Sequence, residues 1–156
     1  MTKTNAMRLL DAAGISYRCT SYEYDESDLS GLHAAEQIGM PPEQVFKTLV
    51  TRGDKTGITV FCLPVGSELD LRKAASVSGN KKVEMTHVRE LLGLTGYIRG
   101  GCSPIGMKKK YPTYIDETAA LWDEIAVSAG QRGEQILIAP HTLIAFIAAR
   151  EADITA

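Results

Sequence analysis

Apolar positions recur along this chain at two periods, and the two periods divide it into short helices and short strands. Over residues 4–13, Ala6, Leu9, Leu10 and Ala13 stand at i, i+3, i+4 and i+7, one face of a helix that Gly14 can end. Residues 15–24 are rich in Tyr, Ser and Thr and predict a strand that runs into the acidic stretch Asp25, Glu26, Ser27 and Asp28. A short helix over 32–38 stops at Gly39. Pro41 and Pro42 then open a turn through Gln44, because proline lacks only an N–H that a first helical turn leaves unpaired. The β-branched and apolar runs 46–51 and 57–63, separated by Arg52, Gly53, Asp54, Lys55 and Thr56, predict a hairpin.

The second half predicts a helix over 69–76 ending near Gly79, a strand over 82–85, and a helix over 87–92 capped by Thr86 and ended by Gly93. A loop follows over 96–106. Beyond it come a strand at 113–116, a short helix at 117–123, a second hairpin from 125–128 and 135–138, and a last helix over 142–149. Elements alternate without a repeat. This predicts one α/β domain over 1–156, with a mixed, largely antiparallel sheet or open barrel flanked by short helices.

Composition narrows the function. No apolar run approaches the roughly 20 residues needed to cross a bilayer, and Met1, Thr2, Lys3, Thr4 and Asn5 lead into no signal-like apolar core, so a cytoplasmic protein is expected. Cys19, Cys62 and Cys102 are odd in number and form no C-x-x-C pair. Neither a disulfide framework nor a zinc site follows, and no metal or cofactor is expected. A formal net charge of −2 excludes bulk coating of nucleic acid but leaves local basic contacts open.

Several segments carry candidate chemistry. Gly100, Gly101, Cys102, Ser103, Pro104, Ile105 and Gly106 form either a tight turn or a loop whose backbone groups are open to a ligand. Lys47, within the apolar run Val45, Phe46, Thr48, Leu49 and Val50, must either reach water or meet an anionic group. Ser128 precedes the glycine-bearing turn Ala129, Gly130, Gln131, Arg132 and Gly133. Cys102 lacks an evident base, since His33, His87 and His141 fall on or beside predicted helices, and no P-loop or serine elbow is present. Basic pairs occur at Arg72 and Lys73 and at Lys81 and Lys82. Lys108, Lys109 and Lys110, beside Tyr111, are close enough to the glycine loop to seat a phosphate backbone.

Taken as a set, V-F-K-T-L at 45–49, L-D-L-R-K-A-A at 69–75, K-K-V-E-M at 81–85, G-G-x-S-P-x-G at 100–106, V-S-x-G-x-R-G at 127–133 and I-A-P at 138–140 resemble the YbaK/EbsC family, nearest its Cys-tRNA(Pro)/Cys-tRNA(Cys) deacylase branch. The resemblance implies the fold of the editing insertion of bacterial prolyl-tRNA synthetases, acting in trans on mischarged tRNA, with that synthetase as a partner. It also implies that Lys47 holds the aminoacyl end and that the Gly100 carbonyl poises the attacking group. Tyr22, Thr48, Gly101 and Ser128 would line the pocket. The implied chemistry is substrate-assisted: the cysteinyl thiol attacks its own ester. The alternatives are water-driven hydrolysis of Ala-tRNA(Pro) and a non-catalytic module that docks on tRNA or synthetase. The chain departs from the family pattern at Ala129, Gln131 and Gln135; the last stands where an aspartate often occurs, at the pocket position facing the substrate ammonium.

Overall fold

Thr4 fixes the start of the first helix. Its hydroxyl accepts a hydrogen bond from the Met7 N–H at 3.3 Å, a partner for one of the amides that a first helical turn leaves without one. In the computed structural model, which describes residues 3–156, helix α1 spans Asn5–Ala12 and buries Ala6, Met7 and Leu10. Met1 and Thr2, part of the N-terminal stretch considered above, lie outside the described residues. The chain continues through β1 (Arg18–Ser21), α2 (Gly31–Ile38), β2 (Phe46–Gly53), β3 (Gly57–Pro64), α3 (Leu71–Ser78), β4 (Val83–Met85) and α4 (Val88–Thr95). It ends with β5 (Thr113–Asp116), β6 (Ile125–Ser128), β7 (Glu134–Ile138), α5 (Pro140–Ile147) and β8 (Arg150–Ala152), and short 3-10 turns lie at Pro42–Gln44 and Glu117–Leu121.

The strands form two sheets. One is antiparallel in the order β1-β7-β6; the other runs β4-β2-β3-β5-β8, antiparallel at the β2 end and parallel where β5 meets β3 and β8. A bridge between Val45 and Ala126 brings the start of β2 against β6 and so joins the sheets at one corner, without closing a barrel. The main core lies between them, where Phe46, Val50, Val60 and Ile115 meet Val127, Ile136 and Ile138 under α1 and Leu143 of α5. Each fully buried aliphatic side chain of this kind stabilises the fold by about 1.5–3 kcal/mol. The other face of the larger sheet packs Phe61, Leu63 and Tyr114 against Ala74 and Ala75 of α3.

This is the mixed, largely antiparallel α/β arrangement expected from the pattern, and both hairpins form where the β-branched and apolar runs placed them. Elsewhere the boundaries move. β1 has only four residues, because β7 offers it only four partners from Glu134 to Leu137. Thr86 does not cap α4: its N–H and hydroxyl both donate to the Val50 carbonyl, at 3.2 and 2.9 Å. His87 is the cap residue, and its N–H donates to the Glu90 carboxylate at 2.9 Å. Gly93 lies inside α4, which ends at Gly96 with φ +86°. α3 starts two residues later than expected because Asp70 accepts from the N–H groups of Arg72 and Lys73. α5 starts two residues earlier, with Pro140 in its first turn. β8 was not anticipated. Among the described residues no helix is long and apolar enough to cross a membrane.

Candidate active site

β4 covers only the far end of β2, pairing with Thr51, Arg52 and Gly53. Next to that pairing, the Val50 carbonyl is taken by Thr86. Backbone polar groups alternate between the two edges of a strand, so the Thr48 N–H and C=O point to the same edge as Val50, where no strand lies beside them. A cavity of about 260 Å³ opens against this edge. Its walls come from Tyr22 just after β1, from Ser30, Gly31 and Ala34 at the start of α2, and from Met85 to Val88, where β4 passes into α4. Arg99, Gly100 and Cys102 supply the loop side, and Ser128 and Gln135 the side of the smaller sheet. Met85 and Val88 are 46% and 61% exposed, so the cavity is open to solvent where they border it.

Six of the residues singled out by the sequence meet here: Tyr22, Lys47, Thr48, Gly100, Ser128 and Gln135. Lys47 follows the buried Phe46 on the opposite face of β2 and is half-buried. Burial pushes its ammonium below the ordinary lysine value, and the Glu68 carboxylate pulls it partly back. The Thr48 hydroxyl lies 3.8 Å from the Cys62 sulfur across the hairpin. The Ser128 hydroxyl accepts from the Gly130 N–H at 3.2 Å, so it both stabilises its turn and borders the cavity. Gln135 is 6% exposed, and its Oε1 has no hydrogen-bond partner. Burial raises the Tyr22 phenol, and hydrogen bonds from the Gly133 backbone and the Gln135 side chain oppose that rise.

The glycine loop is tied down from within. Gly100 has φ +86°, and a Cβ there would lie 3.3 Å from Leu29, so only glycine fits without strain. Ser103 is buried and accepts from the Ile105 N–H, while the Tyr97 hydroxyl donates to the Ile105 carbonyl. Gly101 is buried beside the cavity rather than on its wall. A Cβ at that position would come within 3.1 Å of the Arg132 nitrogen, so the loop packs directly on the turn between β6 and β7. Lys108 packs its stem against Gly96, and Lys109 and Lys110 border a second cavity of about 200 Å³ with Leu9, Tyr111 and Phe146. The lysine run is thus not at the first cavity.

The chemistry this arrangement offers is binding and orientation. A partly desolvated cation, an unpartnered buried acceptor and a free strand edge converge on a space for an amino-acid-sized group. The cavity's own thiol is inert: burial pushes Cys102 up to about 12, against a smaller opposing hydrogen bond from Thr95. Arg99 is a charged wall residue that sequence reasoning missed; its one signal was its place directly before the glycine pair.

The family model of the aminoacyl-tRNA editing domain matches residues 31–146. Over 153 residues the chain is 49% identical to EbsC of Enterococcus faecalis, named as a candidate Cys-tRNA(Pro)/Cys-tRNA(Cys) deacylase, covering 98% of this chain and 93% of that protein. A stretch of 100 residues, 64% of this chain, is 31% identical to the proline–tRNA ligase of Shouchella clausii, of which it covers 17%. A crystal structure described as that of a candidate trans-editing enzyme for prolyl tRNA synthetase superposes with a TM-score of 0.85 at 26% identity, over 100% of this chain and 99% of that chain.

Proposed function

The chain belongs to the aminoacyl-tRNA editing domain family, and from that footing we propose that it acts in trans, as one catalytic domain, to remove cysteine from mischarged Cys-tRNA(Pro). The observation that carries this reading is a cavity equipped to hold an aminoacyl group but lacking an activated nucleophile of its own. In the reaction the cysteinyl sulfur attacks its own ester carbonyl. A C–S bond forms, the C–O bond to the terminal ribose breaks, and the thiol proton passes to the departing ribose oxygen. The resulting thiolactone then opens with water to give free cysteine.

The residues of this chain position and polarise. The Lys47 ammonium holds the ester end, and its partial burial strengthens that electrostatic contact. Gln135 Oε1 accepts a hydrogen bond from the substrate's ammonium, replacing the charge an aspartate would bring with a neutral acceptor. The Gly100 carbonyl directs the thiol, and Thr48, Tyr22 and Ser128 confine the side chain. Holding sulfur and carbonyl at near-attack distance can supply several kcal/mol of the barrier without any protein nucleophile, of the order of 7–11 in well-oriented intramolecular reactions. A second sieve of this kind is needed because a synthetase pocket shaped for proline rejects a residue of similar size only weakly. Prolyl-tRNA synthetase is therefore the expected working partner.

Single-turnover assays with Cys-tRNA(Pro) test the reading. The wild type is expected to release cysteine, and Lys47→Ala to lose roughly 100-fold or more in rate with an unchanged melting temperature, the scale seen when one preorganised donor is removed. A wild type that leaves Cys-tRNA(Pro) intact while binding it would instead identify a docking module. Release of alanine from Ala-tRNA(Pro), with cysteine untouched, would identify a water-driven hydrolase.

A further inference from the structure

Two arginines meet at the glycine loop without a carboxylate between them. Arg132, in the turn joining β6 to β7, donates from Nε to the Arg99 carbonyl at 2.9 Å. Its Cγ lies 3.5 Å from where a Cβ on Gly100 would stand, so its stem lies over that glycine and its head is held beside Arg99. The exposed Arg99 itself lines the first cavity. Arg18, Arg52 and Lys73 are each engaged in an ion pair, but neither Arg99 nor Arg132 is in one among the described residues. Two cations at one loop, neither paired with a carboxylate, together favour an anion there.

We infer that Arg99 and Arg132 form the binding site for the phosphodiester that joins the terminal adenosine to the rest of the tRNA, an assignment that rests on the deacylase reading. When the aminoacyl ester occupies the cavity, the first anion outside it is that phosphate, one ribose away. The planar fork of a guanidinium matches two phosphate oxygens at once, which an ammonium does not. Gly100 couples the two jobs, because the same residue borders the cavity and carries the Arg132 stem. Lys109 and Lys110 border a different cavity and are left for more distant contacts.

The test measures binding of a short uncharged oligoribonucleotide ending in CCA, alongside release of cysteine from cysteinyl-adenosine, which has no phosphate. Arg99→Gln is expected to weaken oligonucleotide binding roughly ten-fold and to flatten the dependence of log K on log salt by about 0.7, the loss of one single-strand phosphate contact. Arg132→Gln should act the same way, and Arg99→Lys should retain the salt slope while recovering only part of the affinity. Arg99→Gln should slow release of cysteine from Cys-tRNA(Pro) at limiting enzyme roughly ten-fold more than release from cysteinyl-adenosine, which lacks the phosphate. Unchanged binding and slope in Arg99→Gln would overturn the assignment. So would an equal loss on the phosphate-free ester, which would mean that the arginines only shape the loop. Because Arg99 is exposed, its variant carries the test even if Arg132→Gln fails to fold. Arginine-dependent binding by a wild type that releases no cysteine would uphold the phosphate site and overturn the deacylase reading instead.

Discussion

Gln135 is a residue whose position costs stability. Its Oε1 is buried without a donor, and an unpaired buried acceptor typically costs about 1–3 kcal/mol. A cost of this kind is retained where a ligand supplies the missing partner. Gln135→Leu, which removes the acceptor together with the amide hydrogen bond to Tyr22, is therefore expected to stay within about 1 kcal/mol of the wild type in urea unfolding while KM for Cys-tRNA(Pro) rises roughly ten-fold, one charge-assisted hydrogen bond's worth. A lower midpoint with an unaltered KM would place its role in folding. Cys102 makes the opposite case. Its thiol and that of Cys62 are both pushed up to about 12 by burial, so neither is a thiolate at neutral pH. Cys102→Ala should keep the deacylation rate within about three-fold; a loss of the size expected when a covalent nucleophile is removed, 1,000-fold or more, would make it one.

Among the elements, α4 sets one wall of the cavity and is held at its start by Glu90. That carboxylate accepts from the His87 N–H at 2.9 Å and from Arg52 of β2 at 2.8 Å, which ties the helix to the strand carrying Lys47. These contacts, the Arg52 hydrogen bond foremost, bring Glu90 down to about 2. A carboxylate with a depressed folded value contributes stability that is fully present above its unfolded value and is lost as pH falls towards the folded one. The stability gap between wild type and Glu90→Gln, followed by urea unfolding, should therefore be largest at neutral pH and narrow between pH about 4.5 and 2. A pH-independent gap, or none, would mean that the Glu90 charge contributes nothing, since glutamine keeps the helix-cap hydrogen bond through its amide oxygen. The same region shows where the sequence was legible. The β-branched and apolar runs 46–51, 57–63 and 125–128 marked the hairpins, because strands covered on both faces, as β3 and β6 are, read as short continuous apolar segments bounded by turn residues. The start of α4 was misplaced because Thr86 and His87 both precede a helical run, and only the approach of Val50 decides which of them the sheet takes. β8 is three polar or small residues paired in parallel with β5, a non-local partnership that leaves no local pattern.

At the scale of the molecule, the candidate site lies where two sheets touch at Val45 and Ala126. Tyr22 just after β1, residues of β2, β6 and β7, and the glycine loop reach it from distances along the chain that no periodicity connects. Lys47, Gly100, Ser128 and Gln135 became a group through the set of motifs, whereas Arg99 had no such help because an exposed arginine carries no periodic signal. The open edge of β2 was hidden for a similar reason: it exists because β4 is three residues long against eight. The fold thus supplies a positioned but chemically quiet cavity, and the account assigns the reactive group to the substrate. The most direct measurement of that claim compares single-turnover release of cysteine and serine from the same tRNA(Pro), since the two amino acids differ by one atom and fill nearly the same space. Release of cysteine at least about 100-fold faster than serine, as expected if the substrate's own sulfur is the nucleophile, would uphold the account. Equal rates for the two would contradict it and require a water activated by the protein.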